Sequence, residues 1–421
     1  MVRPLLCALV VFVLVVAAYL FPRLPSHRAA SVSGRAVLGP PRFMTREGRP
    51  SKLSFEDMLR DDFEFDMRGS DVMVFLHIQK TGGTVFGRHL VRDLELERPC
   101  QCLRGRKRCR CARPPSAGGQ RSWLFSRYST GWKCGLHADW TELTACVDHA
   151  MDRAERAPAK RRYFYVTLLR EPVARFLSEF RHVQRGATWR SSRHLCGGRA
   201  PTADELPFCF NGTDWRDVTF QEFLACPSNL AVNRQTRMLA DLTLVGCYNR
   251  SSMSEHERDL LLLASARKNL RSTAFFGLTE EQHLSQQLFE ATFGLRFVRP
   301  FEQLNETRST AAQGRVPPDD LKAVRRSSRS DAMMVETKLA SKLWEAFSLK
   351  GLNHLDVQLY DYARKLMSER LQRLKERGPV RPDYTWTSCG PCITTAPFSP
   401  TGYSGTPVLR IQQEKVSKAP G

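Results

Sequence analysis

Residues 72–90 read VMVFLHIQKTGGTVFGRHL. A short apolar run meets a polar turn containing Lys80, and Gly82, Gly83 and Thr84 open an apparent helix. A strand feeding a helix N-terminus is an anion site, because unpaired N–H groups and the helix dipole both favour negative charge. The two glycines let the backbone approach a bulky phosphate, and Lys80 adds a mobile positive charge. This is not a Walker A loop, in which the lysine follows the second glycine. On these residues alone, a tight strand–helix turn with an exposed lysine competes with the anion site. A second apolar run, YFYVTLL at 163–169, ends in Arg170-Glu171-Pro172, with Ser178 further along. Histidine titrates nearest neutrality and suits base chemistry. His77 and His89 lie in the first motif, His182 just beyond the second and His137 between the two along the chain, so residue type alone does not choose among them.

The elements that must carry these residues follow from patterning. Runs at 72–76, 163–169, 274–278 and 295–298 read as strands. Helical spacing marks 84–94, 173–184 behind Pro172, 220–225, 229–241, 255–270, 280–293 and 352–367. Strands alternating with helices predict an α/β fold with a central, mainly parallel sheet flanked by helices. The globular domain is expected over 63–375, after a Pro-, Arg- and Ser-rich stem at 22–62. Residues 311–350 are polar and basic and read as a mobile surface insertion. Residues 376–421 read as a flexible tail.

The formal charge of +21 over 421 residues implies an acidic partner. The compartment decides which. Behind a short tail at 1–4, residues 5–21 form an uncharged apolar run that reads as a transmembrane signal anchor. A cleaved signal peptide is the alternative, although Pro22 and Arg23 stand where a small-residue cleavage site would be. Asn211, Asn249 and Asn305 each begin a glycosylation sequon. Thirteen cysteines, one of them in the apolar run, suit an oxidising lumen. The pairs Cys100/Cys102 and Cys109/Cys111 are spaced too closely for a usual zinc site and are expected in disulfides stapling a basic loop at 97–122. A basic lumenal domain should not meet nucleic acid, so a sulfated or uronate-rich polysaccharide is the favoured partner.

FLHIQKTGGT and LLREPVARFLSEF together resemble the two cofactor loops of Golgi carbohydrate sulfotransferases. STGWKCGLHADWTEL and RHVQRGATW sharpen the resemblance to the heparan-sulfate 6-O-sulfotransferases. The likeness runs from about residue 65 to 308 and resumes at 352–366. It implies a single-pass type II Golgi membrane protein with a P-loop-like sulfotransferase fold, using the sulfate donor PAPS without a metal. By that resemblance Leu76, His77, Ile78, Gln79, Lys80, Thr81, Gly82, Gly83 and Thr84 form the loop that holds the 5′-phosphosulfate. Arg170 and Ser178 would then hold the 3′-phosphate, with Thr307 and Arg308 in a closing loop. His137 is implied as the base, and Lys80 as the group that neutralises the leaving oxygen. Arg127, Trp132, His182 and Trp189 would line the sugar site, with His137 facing the same sugar. Lys107 and Arg108 are candidates to hold polymer sulfates outside it. The 311–350 stretch departs from the resemblance, since the family usually has a short acidic connection there. The expected reaction is in-line sulfuryl transfer from PAPS to the 6-hydroxyl of glucosamine in heparan sulfate. Transfer to another glycosaminoglycan position, a nucleotide-dependent kinase and a non-catalytic heparin-binding membrane protein are the other readings. The first loop with Arg170 and Ser178 argues against the binder, and the basic Leu169-Arg170 strand end against a kinase's acidic magnesium ligands.

Overall fold

The computed structural model describes residues 52–59, 63–115, 121–188, 192, 194–210, 212–302 and 348–377. Of the expectations above, the anchor at 5–21, most of the stem, the tail after 377, Trp189, Asn211, Asn305, Thr307, Arg308 and 311–347 lie outside these residues. No helix among the described residues is long and apolar enough to cross a membrane.

In chain order the elements are α1 (Phe55–Met58), β1 (Asp71–Leu76), α2 (Gly83–Arg92), β2 (Leu124–Phe125), α3 (Trp140–Glu155) and β3 (Arg162–Leu169). They continue with α4 (Pro172–Val183), α5 (Phe220–Ala225), α6 (Arg234–Leu239), α7 (Glu255–Ser272), β4 (Phe275–Leu278), α8 (Gln282–Phe293) and α9 (His354–Arg377). The sheet is parallel throughout, in the order β2-β1-β3-β4. Every residue of β1 and β4 is buried, as expected of strands covered on both faces. Register sets Leu76 opposite Thr167, and Leu169 opposite Leu278. The turn after β1, Arg170 after β3 and Thr279 after β4 therefore emerge side by side. That edge of the sheet is where open α/β folds place their ligands.

Several boundaries differ from the sequence reading. The packed unit begins at Lys52, inside the stretch assigned to the stem. Leu53 N donates to Tyr163 O (3.0 Å), and Phe55 and Met58 are buried, with the Arg370 guanidinium 4.5 Å from the Phe55 ring. A one-turn helix carries too few residues to show a period. Residues 295–298 do not form a strand; Leu94 and Phe297 make one isolated bridge, and Phe297 joins an aromatic cluster with Phe289 and Phe301. Helix α3 was not anticipated, although a capping box starts it: Asp139 accepts from Glu142 N and Glu142 accepts from Asp139 N. The last helix continues to Arg377, well past the predicted end. Before it, residues 348–350 are helical and Leu349 is buried. It packs in a small core with Phe176 and Phe223.

Disulfides join Cys100 to Cys111, Cys102 to Cys109, Cys134 to Cys146, Cys196 to Cys247 and Cys209 to Cys226. The first two are nested across a two-stranded turn, where Gln101 and Arg110 exchange backbone hydrogen bonds of 2.9 and 2.8 Å. The basic loop is thereby held against the domain at Cys109 and Cys111, which are buried in the core.

Candidate active site

The turn from β1 into α2 is built mainly from main chain. Leu76, Ile78 and Gln79 turn their side chains inward and are almost fully buried, so they offer only backbone. Thr81 is buried too, its hydroxyl donating to Ile78 O (3.0 Å). Thr279 Oγ1 lies 2.7 Å from Thr81 O and 2.9 Å from Leu169 O, its one hydrogen shared between the two carbonyls, tying the turn to the ends of β3 and β4. Lys80 and Gly82 have φ of 68° and 78°, the left-handed region. Gly82 stands at the N-cap of α2 with no side-chain cap, and the amides of Gly82, Gly83 and Thr84 have no acceptor among the described residues. Unpaired amides at a helix N-terminus suit an anion.

Different local constraints act on the two glycines. At Gly82 the left-handed turn demands glycine. At Gly83 a Cβ would lie 2.5 Å from His77 Cδ2 and 3.1 Å from Phe75 Cζ. Gly83 is required because the His77 ring lies on the first turn of α2.

Arg170 and Lys80 converge on this turn. Arg170 Nη1 donates to Lys80 O at 3.3 Å. The Arg170 main chain is clamped by one side chain: its N–H donates to Gln235 Oε1 (2.8 Å) and its carbonyl accepts from Gln235 Nε2 (2.9 Å). Burial lowers the Lys80 pKa, with Arg185 and Arg170 adding to the effect and Glu179 opposing it. Lys80, Arg170 and Arg185 lie close enough to repel one another, an arrangement that suits an anionic ligand. Ser178 is half-buried on α4. The N-terminus of α4 itself is closed, since Glu171 accepts from Val173 N and Ala174 N.

Opposite the turn lies an aromatic group. His137, at φ 55°, makes a 3.0 Å bond from Nδ1 to His77 O. A carbonyl oxygen only accepts, so Nδ1 carries the hydrogen and Nε2 the lone pair. Burial pushes the His137 pKa down to about 4, the bond to His77 opposing the shift, so the ring is neutral at ordinary pH. Ring centroids place Trp132 4.6 Å from His137, and His77 4.9 Å from it. Arg127 lies over Trp132 at 5.1 Å. His77 is buried between Phe75 and Trp132, and burial holds its pKa well below the ordinary value. His77 is thus a neutral platform whose carbonyl orients His137. His182 sits on α4 close enough to Lys80 for that charge, after burial, to lower its pKa. His89 is apart from this group, bonded through Nδ1 to Asp93 (2.7 Å) and packed on Phe301. Lys107 and Arg108 are exposed on the stapled loop, and the Arg108 side chain lies against Gly131, one residue from Trp132. The structure therefore brings Lys80, Arg170, His77, His137, Arg127, Trp132 and His182 to one end of the sheet, with Arg108 at its margin.

Beneath the site is a charged network that the sequence reading missed. Glu179, 1% exposed, accepts from Arg234 (2.5 and 2.9 Å) and Arg175 (2.5 Å). Although burial raises it, Arg234 and Arg175 hold its pKa at about 2. Arg175 and Glu179 are four residues apart on α4, a spacing that could have shown the pair. Arg234 and Gln235 arrive from α6, and nothing local foretells their partners.

A model of the Sulfotransferase family matches residues 63–363. Heparan-sulfate 6-O-sulfotransferase 3-B of Danio rerio is 53% identical over 328 residues, 78% of this chain and 71% of that protein. Heparan-sulfate 6-O-sulfotransferase 1 of Homo sapiens is 55% identical over 316 residues, covering 75% and 70%. Heparan-sulfate 6-O-sulfotransferase 2 of Danio rerio is 53% identical over 324 residues, 76% of this chain and 63% of that protein. With an anion seat at the sheet edge and this identity over most of its length, the chain belongs to the sulfotransferase family, among the heparan-sulfate 6-O-sulfotransferases.

Proposed function

We propose that the chain transfers a sulfuryl group from PAPS to the 6-hydroxyl of glucosamine in heparan sulfate, in line, with His137 as base. The observation that carries this is the 3.0 Å bond from His137 Nδ1 to His77 O, which presents Nε2 as a proton acceptor. The residues fit a nucleotide carrying two anionic groups: the uncapped amides of Gly82–Thr84 with Lys80 suit one, and Arg170 with Ser178 suits the other. PAPS supplies an activated sulfuryl group whose departure leaves an anionic phosphate oxygen. His137 takes the proton from the acceptor hydroxyl as the new oxygen–sulfur bond forms. Lys80 stabilises the negative charge on the bridging oxygen as the old bond breaks, and desolvation strengthens that interaction. Trp132 offers a face for a pyranose ring, while Arg127, and His182 beside Lys80, suit a sulfated or carboxylated neighbour. Trp189 belongs to the same proposed sugar site, and Thr307 and Arg308 to the donor's closing loop. Lys107 and Arg108 would hold polymer sulfates further along the chain.

The five disulfides support an oxidising lumen, so we read residues 5–21 as the anchor of a type II Golgi membrane protein. Asn211, Asn249 and Asn305 are its proposed glycan acceptors. Incubation with radiolabelled PAPS and desulfated heparin, followed by mapping of the label, tests the reaction. Label at the 6-hydroxyl is expected; label at another position, or none, overturns the assignment.

A further inference from the structure

Arg170 is supported from two directions, and both supports rest on α9. Asp356 of α9 accepts from Gln235 N (3.1 Å), Thr236 N (2.7 Å) and Thr236 Oγ1 (2.9 Å), capping α6. Gln235 in turn clamps the Arg170 main chain. On the side-chain flank, Tyr360 of α9 donates its hydroxyl to Glu280 Oε2 at 2.6 Å. Glu280 Oε1 accepts from Glu171 N (3.1 Å) and stops 3.9 Å from Arg170 Nε. That gap exceeds a hydrogen bond, and Arg170 Nε is buried without a hydrogen-bond partner among the described residues.

A carboxylate beside an arginine ordinarily closes on it in a bidentate pair. Here it does not, because one oxygen is taken by Tyr360 and the other by a backbone amide. An arginine already closed on a carboxylate would have to break that pair to bind a phosphate, and the loss would be subtracted from affinity. We propose that Tyr360 is a positioning residue for the donor nucleotide: its hydroxyl keeps Glu280 from closing on Arg170, leaving the guanidinium available to the 3′-phosphate. This rests on Arg170 as the phosphate ligand. It gives the last helix, which follows the stretch outside the described residues, a direct part in donor binding.

The test is titration of full-length protein with PAP, the desulfated nucleotide, by calorimetry. Tyr360→Phe should weaken PAP about tenfold, the scale of one charge-assisted hydrogen bond. The donor KM should rise with it, and the acceptor KM should not. Removing the charge that has been let loose should restore binding, so Tyr360→Phe/Glu280→Gln should bind PAP nearly as wild type does, and Glu280→Gln alone at least as tightly. Unaltered PAP affinity in Tyr360→Phe would reduce the tyrosine to a helix contact. Weakening by Glu280→Gln, or equal weakening in the single and double variants, would also overturn the proposal. Arg170→Ala separates the two readings: if it leaves PAP affinity intact, the donor assignment fails, whereas if it weakens PAP and Tyr360→Phe does not, only the role of Tyr360 fails.

Discussion

The proposed donor side and the proposed acceptor side of the site are built by different means. The donor side is main chain: an uncapped helix N-terminus, a left-handed turn, and the ends of β1, β3 and β4 locked together through Thr279 and Gln235. The acceptor side is side chain: His137, Trp132, Arg127 and His182, carried on the 127–137 loop and the end of α4. Backbone amides at a fixed sheet edge suit a nucleotide that is always the same. Aromatic faces and guanidinium groups suit a polymer whose sulfation varies. His77 joins the two halves, since it belongs to the turn after β1 while its carbonyl orients His137, the proposed base.

The comparison can be broken most sharply at His137. His137→Ala should lower activity by roughly 10²–10⁴ while PAP affinity and thermal stability stay close to wild type. If the variant unfolds, the ring is a core residue; if it stays active while His182→Ala is dead, the base is His182. Lys80→Ala should cost about 10²–10³ in turnover, more than it costs in PAP binding, because its charge matters most as the bridging oxygen becomes anionic. Near-normal turnover would remove Lys80 from the mechanism.

Gly83→Ala probes the joint between the halves. Its Cβ would collide with the His77 ring, so the variant should lose about 1–3 kcal/mol of stability and disturb both halves at once. Chemical denaturation measures the first effect, and parallel PAP and heparin titrations the second. If PAP binding alone suffers, His77 is not the joint.

Acid should act on the acceptor side. The pKa of His137 in the folded chain is pushed down to about 4, below its unfolded value near 6.5, so the unfolded chain binds the proton more readily. Its contribution to stability is therefore complete above about pH 6.5 and declines as pH falls towards 4, by up to about tenfold in the folding equilibrium per pH unit. His137→Gln should flatten that part of a stability–pH curve, and an unchanged curve would contradict the buried neutral ring. The smallest effect is expected furthest out. Replacing Lys107 and Arg108 with alanine should reduce the salt dependence of heparin binding, by analogy with counterion release from nucleic acids, and leave PAP affinity alone. An unaltered salt slope would make the loop a solvated charge run.

What could be read from the chain was whatever is local. The apolar run at 72–76, the Lys80–Gly82–Gly83 turn, Pro172 at the first position of α4 and the closely spaced cysteines each carry their signal within a few residues. They were enough to foresee parallel strands, a strand–helix turn between them and a stapled basic loop. The tautomer of His137 and the roles of Gln235, Glu280 and Tyr360 depend on residues 60 to 109 positions apart. Helix α3 was missed although its capping box is local, because its apolar face is interrupted by buried Thr141 and Glu142, which are satisfied by tertiary partners. Likewise α1 belongs to the domain only because β3 and Arg370 receive it. Sequence by itself determined β1, β3 and β4, the turn and the types of chemically competent residue, since backbone geometry and side-chain chemistry are local properties. Only the tertiary structure decided which histidine is held with its lone pair on Nε2 and which carboxylate stands beside the arginine, because a hydrogen bond has no partner until the fold supplies one.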